Sequence, residues 1–358
     1  MTRRKAIYLG GATLATTTLM GSLPKPNTLK SYAAAKGLLY GAAGAYAHLS
    51  DNREFAQRFI EECAVLTPEN DLKWQTIHPK PNDYDFGKGD WMAKFARTHK
   101  LQLRGHNLVW HDAIPDWVKE TVNPENAASV LKDHIATVAG HYQGSMHSWD
   151  VVNEAINIGD GHPLGLRKSH WFNWLGEDYI DIAFQAAAEA DPQALLVYND
   201  YDLDYDTPAQ NARREAVFKL LERLKARGTP IHALGLQAHL VGRETRFNPD
   251  KMRQFLADVA SLGLKIMVTE MDVSDQGLPA DYGERDRRIA DVYEMYLSTV
   301  LDEPNVMAVL TWGLSDRYTW LSGYRPRKDN IPVRPLPLDR TFQPKLAWES
   351  ITKTFANL

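Results

Sequence analysis

Two glutamates sit where the chain could bring them to opposite walls of one pocket. They are Glu154, closing Trp149-Asp150-Val151-Val152-Asn153-Glu154, and Glu270, in Thr269-Glu270-Met271-Asp272. A carboxyl pair suits glycosidic bond cleavage: one group protonates the leaving oxygen, and the other attacks the anomeric carbon or activates water. Strand alternation puts Glu270 and Asp272 on one face, and Gln237 and His239 on one face of the preceding apolar run. From there His239 would hydrogen-bond Glu270 and keep it ionised as a nucleophile. Asn153 and Glu154 are consecutive, so both face the pocket only if their strand ends or bulges there. Taken singly, a glutamate at a strand end is a solvated or salt-bridged surface group. Convergence with other polar and aromatic groups is what argues for chemistry.

That convergence depends on the elements. Short apolar, β-branched or aromatic runs occur at 38–44, 65–69, 101–108, 146–152, 195–198, 233–240, 265–273 and 307–314. Helix-like stretches separate them, with clear patterning over 179–190 and 212–228, the latter ending on a glycine. Eight evenly repeated units with near-continuous apolar strands predict an α/β fold, a single (β/α)8 TIM barrel, in preference to a doubly wound sheet. In such a barrel the catalytic groups gather at the C-terminal strand ends. Reading those ends in order finds Glu69-Asn70-Asp71, His106-Asn107, Trp110-His111, Asn153-Glu154, Asn199-Asp200-Tyr201, Gln237-Ala238-His239, Glu270-Met271-Asp272 and Thr311-Trp312-Gly313. Amides, carboxylates, imidazoles and indoles share one end, and no Gly-rich phosphate cradle appears.

The bulk properties narrow the function further. The chain has 358 residues and a formal net charge of -4, which gives no basic surface for nucleic acid or an anionic membrane. Cys63, the only cysteine, precludes an intrachain disulfide; its apolar neighbours Ala64, Val65 and Leu66 predict a buried structural thiol. Twelve histidines include no His-x-His pair and no His-Glu-x-x-His, which argues against a metal-dependent hydrolase. Arg3-Arg4-Lys5 and the mildly apolar stretch 6–20 read as an export signal over residues 1–35, in which Thr2-Arg3-Arg4 resembles the twin-arginine type, with Ala33-Ala34-Ala35 as the cleavage region. Residues 36–358 would then form the catalytic barrel, secreted or periplasmic and without a membrane span.

From residue 38 to the end, the motifs resemble glycoside hydrolase family 10, the family of endo-β-1,4-xylanases. Carrying the resemblance are the Trp149–Glu154 and Thr269–Asp272 segments, together with Gly105-His106-Asn107-Leu108-Val109-Trp110-His111, Gly235-Leu236-Gln237-Ala238-His239 and Thr311-Trp312-Gly313. It implies retaining hydrolysis of xylan or a related β-1,4-glycan, with no metal or cofactor; a monomer is expected, although the sequence itself does not disclose oligomeric state. Glu270 would form the covalent glycosyl-enzyme, and Glu154 would serve first as acid and then as base. Retention calls for carboxyl groups about 5 to 5.5 Å apart, and Glu154 must start protonated, which partial burial and the charge of Glu270 favour. The resemblance assigns Glu69, Asn70 and Lys73 to hydroxyl binding on the non-reducing side. It places His106, Trp110, Asn153, Gln237 and His239 around the central sugar, Trp312 and Trp320 as aromatic walls, and Tyr201 on the reducing side. Asp272 stands behind the nucleophile.

Two departures stand out. Asp202 occupies a position where the family usually carries Asn, and the Arg/Pro-rich loop 322–335, with Arg325, Arg327 and Arg334, looks longer than usual. That loop is either simply solvated or a contact for acidic side groups on a decorated xylan. A binding barrel that has lost turnover is the rival from another class, and the intact carboxylate pair argues against it. Xylose and glucose polymers remain to be told apart by pocket shape.

Overall fold

A computed structural model describes residues 27–358. Its strands are β1 (Leu39–Gly44), β2 (Val65–Pro68), β3 (Gln102–Gly105), β4 (Ser148–Asn153), β5 (Leu195–Asp200), β6 (Ala233–Leu236), β7 (His239–Val241), β8 (Lys265–Ser274) and β9 (Val306–Thr311). Every pairing among them is parallel, because a helical crossover returns the chain to the same end each time. The order β6-β5-β4-β3-β2-β1-β9-β8 closes on itself through a β6–β8 ladder, giving the expected eight-stranded barrel. Inside, Val65, Val197, Ala233, Met267, Ala308 and Leu310 pack into a small cluster, while a much larger apolar layer lies between strands and helices.

The sixth apolar run behaves differently from expectation. Gln237 and His239 do not share a face of one regular strand, because the run splits into β6 and β7 around Ala238, whose φ is +58°. Past the break, β7 rejoins β8 at His239↔Asp272, so His239 still arrives beside the seventh-run carboxylates. On β4 the inferred irregularity is present. Register shifts between Asp150 and Val152, the strand stops at Asn153, and Glu154 takes φ +59°, turning both side chains toward the barrel mouth.

The chain's charged and apolar segment at 3–20 lies outside the described residues. The expected domain boundary after residue 35 falls just past a helix that packs on the barrel. Helix Leu29–Ala34 is capped by Thr28 and Ser31, buries Leu29 and Ala33, and packs against the C-terminal helix Leu346–Asn357. Glu62 ties the two together: its Oε2 accepts from the Leu29 amide at 2.8 Å and from Trp348 Nε1 at 3.1 Å. Ala33-Ala34-Ala35 therefore belongs to the barrel's outer layer. Cys63 is fully buried, and burial pushes its thiol up.

Candidate active site

A cleft of about 560 Å³ opens at the C-terminal ends of the strands, and both Glu154 and Glu270 line it. Their main chains are anchored to neighbouring strands: the Glu154 amide donates to Asn199 O at 2.8 Å and the Glu270 amide to Gln237 O at 3.1 Å. Between the carboxylates runs a relay of amides. Gln237 Nε2 donates to Glu154 Oε1 at 3.0 Å and reaches Asn153 Oδ1 at 3.3 Å. Asn199 Nδ2 donates to Asn153 Oδ1 at 2.9 Å and to Glu270 Oε1 at 2.7 Å. Thr269 Oγ1 orients Asn199 by donating to its Oδ1 at 2.7 Å. Gly235 is required beneath this contact, since a Cβ there would meet Asn199 Oδ1 at 2.2 Å.

Glu270 is almost wholly buried. Burial alone would raise its pKa, but the hydrogen bond from His239, with the positive fields of His106, His239 and Arg104, brings it down to about 2. His239 is held between two carboxylates: its Nε2 lies 3.3 Å from Glu270 Oε2 and its Nδ1 3.0 Å from Asp272 Oδ1. Against burial, which works the other way, Asp272 and Glu270 push this imidazole up to about 10. Asp272 also accepts from Trp320 Nε1 at 2.7 Å, so one carboxylate sets both a charge and an aromatic wall. Across the barrel, Asp150 pairs with the buried Arg104 and accepts from His106 Nδ1 at 2.8 Å. His106 in turn meets Trp312 edge to face at 5.0 Å.

Of the residues singled out in the sequence, Lys73, His106, Trp110, Asn153, Tyr201, Gln237, His239, Asp272, Trp312 and Trp320 all line this cleft with the two glutamates. Glu69 and Asn70 do not; they flank it through Lys73. Lys73 Nζ donates to Asn70 Oδ1 at 2.8 Å and sits 5.0 Å over the Trp110 ring. Burial raises Glu69 to about 7 against the opposing charge of Lys73. Asp202 also lines the cleft, in a left-handed conformation (φ +52°), with Gln210 Nε2 at 3.4 Å from its Oδ1.

Sequence reading passed over two groups that the geometry makes central. Asn199 appeared only as part of a polar strand end, and its full burial across from Glu270 has no local signal. Arg167 lies in a loop. Its Nε donates to the carbonyl of Glu154 at 2.8 Å and its Nη2 to Tyr201 Oη at 3.0 Å, so one guanidinium joins the carboxylate's backbone to the neighbouring aromatic platform. Arg213 backs the same ring, 4.1 Å from its centroid.

Comparison with known proteins decides the family. Residues 28–354 match the description "Glycosyl hydrolase family 10". The chain belongs to glycosyl hydrolase family 10. A β-1,4-xylanase of Dictyoglomus thermophilum is 38% identical over 300 residues, covering 80% of this chain and 81% of that protein. Endo-1,4-beta-xylanase B of Paenibacillus barcinonensis is 35% identical over 341 residues, covering 89% and 96%. Among solved structures, xylanase 10B from Thermotoga petrophila in complex with xylobiose superposes with a TM-score of 0.85 at 32% identity, covering 94% of this chain and 99% of that one. For this family 10 member the match begins within the first described residues, in keeping with a folded Leu29–Ala34 helix.

Proposed function

We infer that this chain is an endo-β-1,4-xylanase that hydrolyses internal xylosidic linkages with retention, using Glu270 as nucleophile and Glu154 as acid and then base. The observation carrying this reading is a buried carboxylate drawn down to about 2 that shares its cleft with a second carboxyl. A nucleophile ionised throughout the working range, and a weak enough base to leave again, is what a double displacement needs. In the first step Glu270 attacks the anomeric carbon while Glu154 protonates the departing glycosidic oxygen. In the second, Glu154 takes a proton from water, which attacks the same carbon and frees Glu270. Asn153, at the cleft surface, would bond a sugar hydroxyl, a contact that tightens in the transition state, while the buried Asn199 holds Asn153 and Glu270 in register. Lys73, His106, Trp110, Gln237, Trp312, Trp320 and Tyr201 shape the cleft around the chain, with Glu69 and Asn70 at its edge.

Action as a monomer belongs to the same proposal. The basic and apolar segment at 3–20 supports export, since a polymeric substrate lies outside the inner membrane; cleavage would then precede residue 27, ahead of the packed helix.

The test is reducing-end release from plain β-1,4-xylan, beside a β-1,4-glucan control and the variants Glu154→Gln and Glu270→Gln, with the anomeric form of the first product followed by NMR. Both variants should lose about a thousandfold or more in kcat, with β-product from wild type. Preference for glucan would move the specificity, and binding of xylan without release would end the enzyme reading.

A further inference from the structure

The long loop 322–335 carries three arginines, and the structure separates them. Arg327 is buried: Nη1 donates to Asp275 O at 2.6 Å, Nη2 to Leu278 O at 2.9 Å, and Asp329 takes the remaining face. Arg334 forms a two-pronged pair with Asp286 at 2.8 and 2.7 Å. Both are consumed in holding the loop down. Arg325 is different. It lines the catalytic cleft, lies 5.5 Å over Tyr324, and makes no ion pair with another described residue.

Immediately beyond it, a cavity of about 330 Å³ is lined by Arg243, Gln276, Arg327, Lys328 and Asp329, among others. Its walls are direct continuations of the cleft. Val241 and Ser274 line the cleft, Arg243 and Gln276 the cavity; Gln276 Nε2 reaches back to Pro326 O at 3.2 Å, next to Arg325. The charge in it is one-sided. Asp329 is neutralised by Arg327, and Glu244, on the cleft side, by Arg246. Arg243 and Lys328 are exposed and have no carboxylate partner among the described residues. The volume lies at the small end of ligand sites, suited to one sugar ring.

An unsubstituted xylose polymer offers no group for two unpaired cations in the recess and a third, Arg325, in the adjoining cleft. We propose that this cavity receives a carboxylate-bearing side group, a uronic acid branch, of the polysaccharide bound in the cleft, with Arg243 and Lys328 inside and Arg325 at the mouth. The proposal rests on the xylanase reading and adds to it a preference for acid-decorated chains. A carboxylate there replaces water around three cations, and guanidinium forks suit its two oxygens.

The experiment compares kcat/KM on three polymers: xylan bearing uronic acid branches, the same polymer with its carboxyls reduced to alcohols, and plain xylan. The proteins are wild type, Arg243→Gln/Lys328→Gln and, separately, Arg325→Gln. Arg327 is left intact because its loss would release the loop. We expect the double variant to lose about three- to tenfold on the acidic polymer, the scale of two solvent-exposed charge contacts. Its rates on the reduced and plain polymers should stay unchanged, and added salt should erase the wild-type preference. An unchanged acidic-to-reduced ratio in both variants, or equal losses on all three polymers, would overturn the proposal while leaving xylan cleavage standing. If wild type cuts none of the polymers, the xylanase reading fails, and this one with it.

Discussion

Two histidine sites in this barrel differ in charge, one cationic and one neutral. At the cleft, His239 lies between Glu270 and Asp272 and is pushed up to about 10. Behind the wall that carries Lys73 and Trp110, His78 and His134 meet through their Nδ1 atoms at 3.1 Å, in a nest of Trp74, Tyr84 and Trp117. There burial pulls His78 down to about 4 and His134 well below its ordinary value. The residue type is the same, and in both sites desolvation alone would disfavour the charged ring. What differs is the neighbour: carboxylates repay the desolvation of an imidazolium, whereas aromatic faces and a second imidazole leave the neutral ring favoured. The first arrangement sets the charge of a nucleophile. The second backs the cleft wall, where Trp74 Nε1 also bonds Leu108 O.

Removing the charged histidine should break this contrast most sharply. In His239→Asn, Glu270 loses a charge-assisted hydrogen bond, so kcat/KM should fall about 10- to 100-fold, in line with about 1.5–3 kcal/mol for such a bond. Its carboxyl should rise from about 2, and the acidic limb of the pH–rate profile should move to higher pH. A smaller loss is expected for Asp272→Asn, about tenfold or less at neutral pH. Here His239 gives up one of its two carboxylates and its pKa falls from about 10, a shift to be read from an NMR titration of the imidazole. An unmoved imidazole titration would mean that Asp272 acts only through Trp320.

The smallest effect concerns the neutral pair and appears in stability. His78 has a folded pKa near 4 against an ordinary 6.5, so the unfolded chain binds protons that the folded one refuses. Stability is therefore fully present above about 6.5 and is lost as pH falls toward and through about 4. Replacing both rings, His78→Phe/His134→Phe, should flatten the fall in Tm across that window by on the order of 2–4 °C, measured relative to each protein's value at neutral pH. His239 has the reverse sign: its contribution is complete below 6.5 and is lost as pH rises through about 10. A double variant with the wild-type slope would place the acid sensitivity elsewhere.

How much of this was legible in the chain varies by residue. Glu154 and Glu270 were marked by strand-end position and flanking motif, and the kink that lets Asn153 and Glu154 face the same way followed from their adjacency alone. The split at Ala238 was not legible, because an apolar run with one left-handed residue reads as a continuous strand. Nor were the roles of Asn199 and Arg167. Asn199 joins Glu270 through a space that exists only because Gly235 lacks a Cβ, and Arg167 comes from a loop whose path no periodicity describes.

Alternation of short apolar runs with amphipathic helices was thus enough to determine the barrel, and polarity at the run ends was enough to say which end does chemistry. Those are local properties: burial and periodicity act over a few residues at a time. The charge on each of these histidines, the separation of Arg325 from its two structural neighbours, and the capture of residues 29–34 by Glu62 and Trp348 were decided only by the closed fold. Each depends on which partners meet across long stretches of chain, and on how little water remains between them.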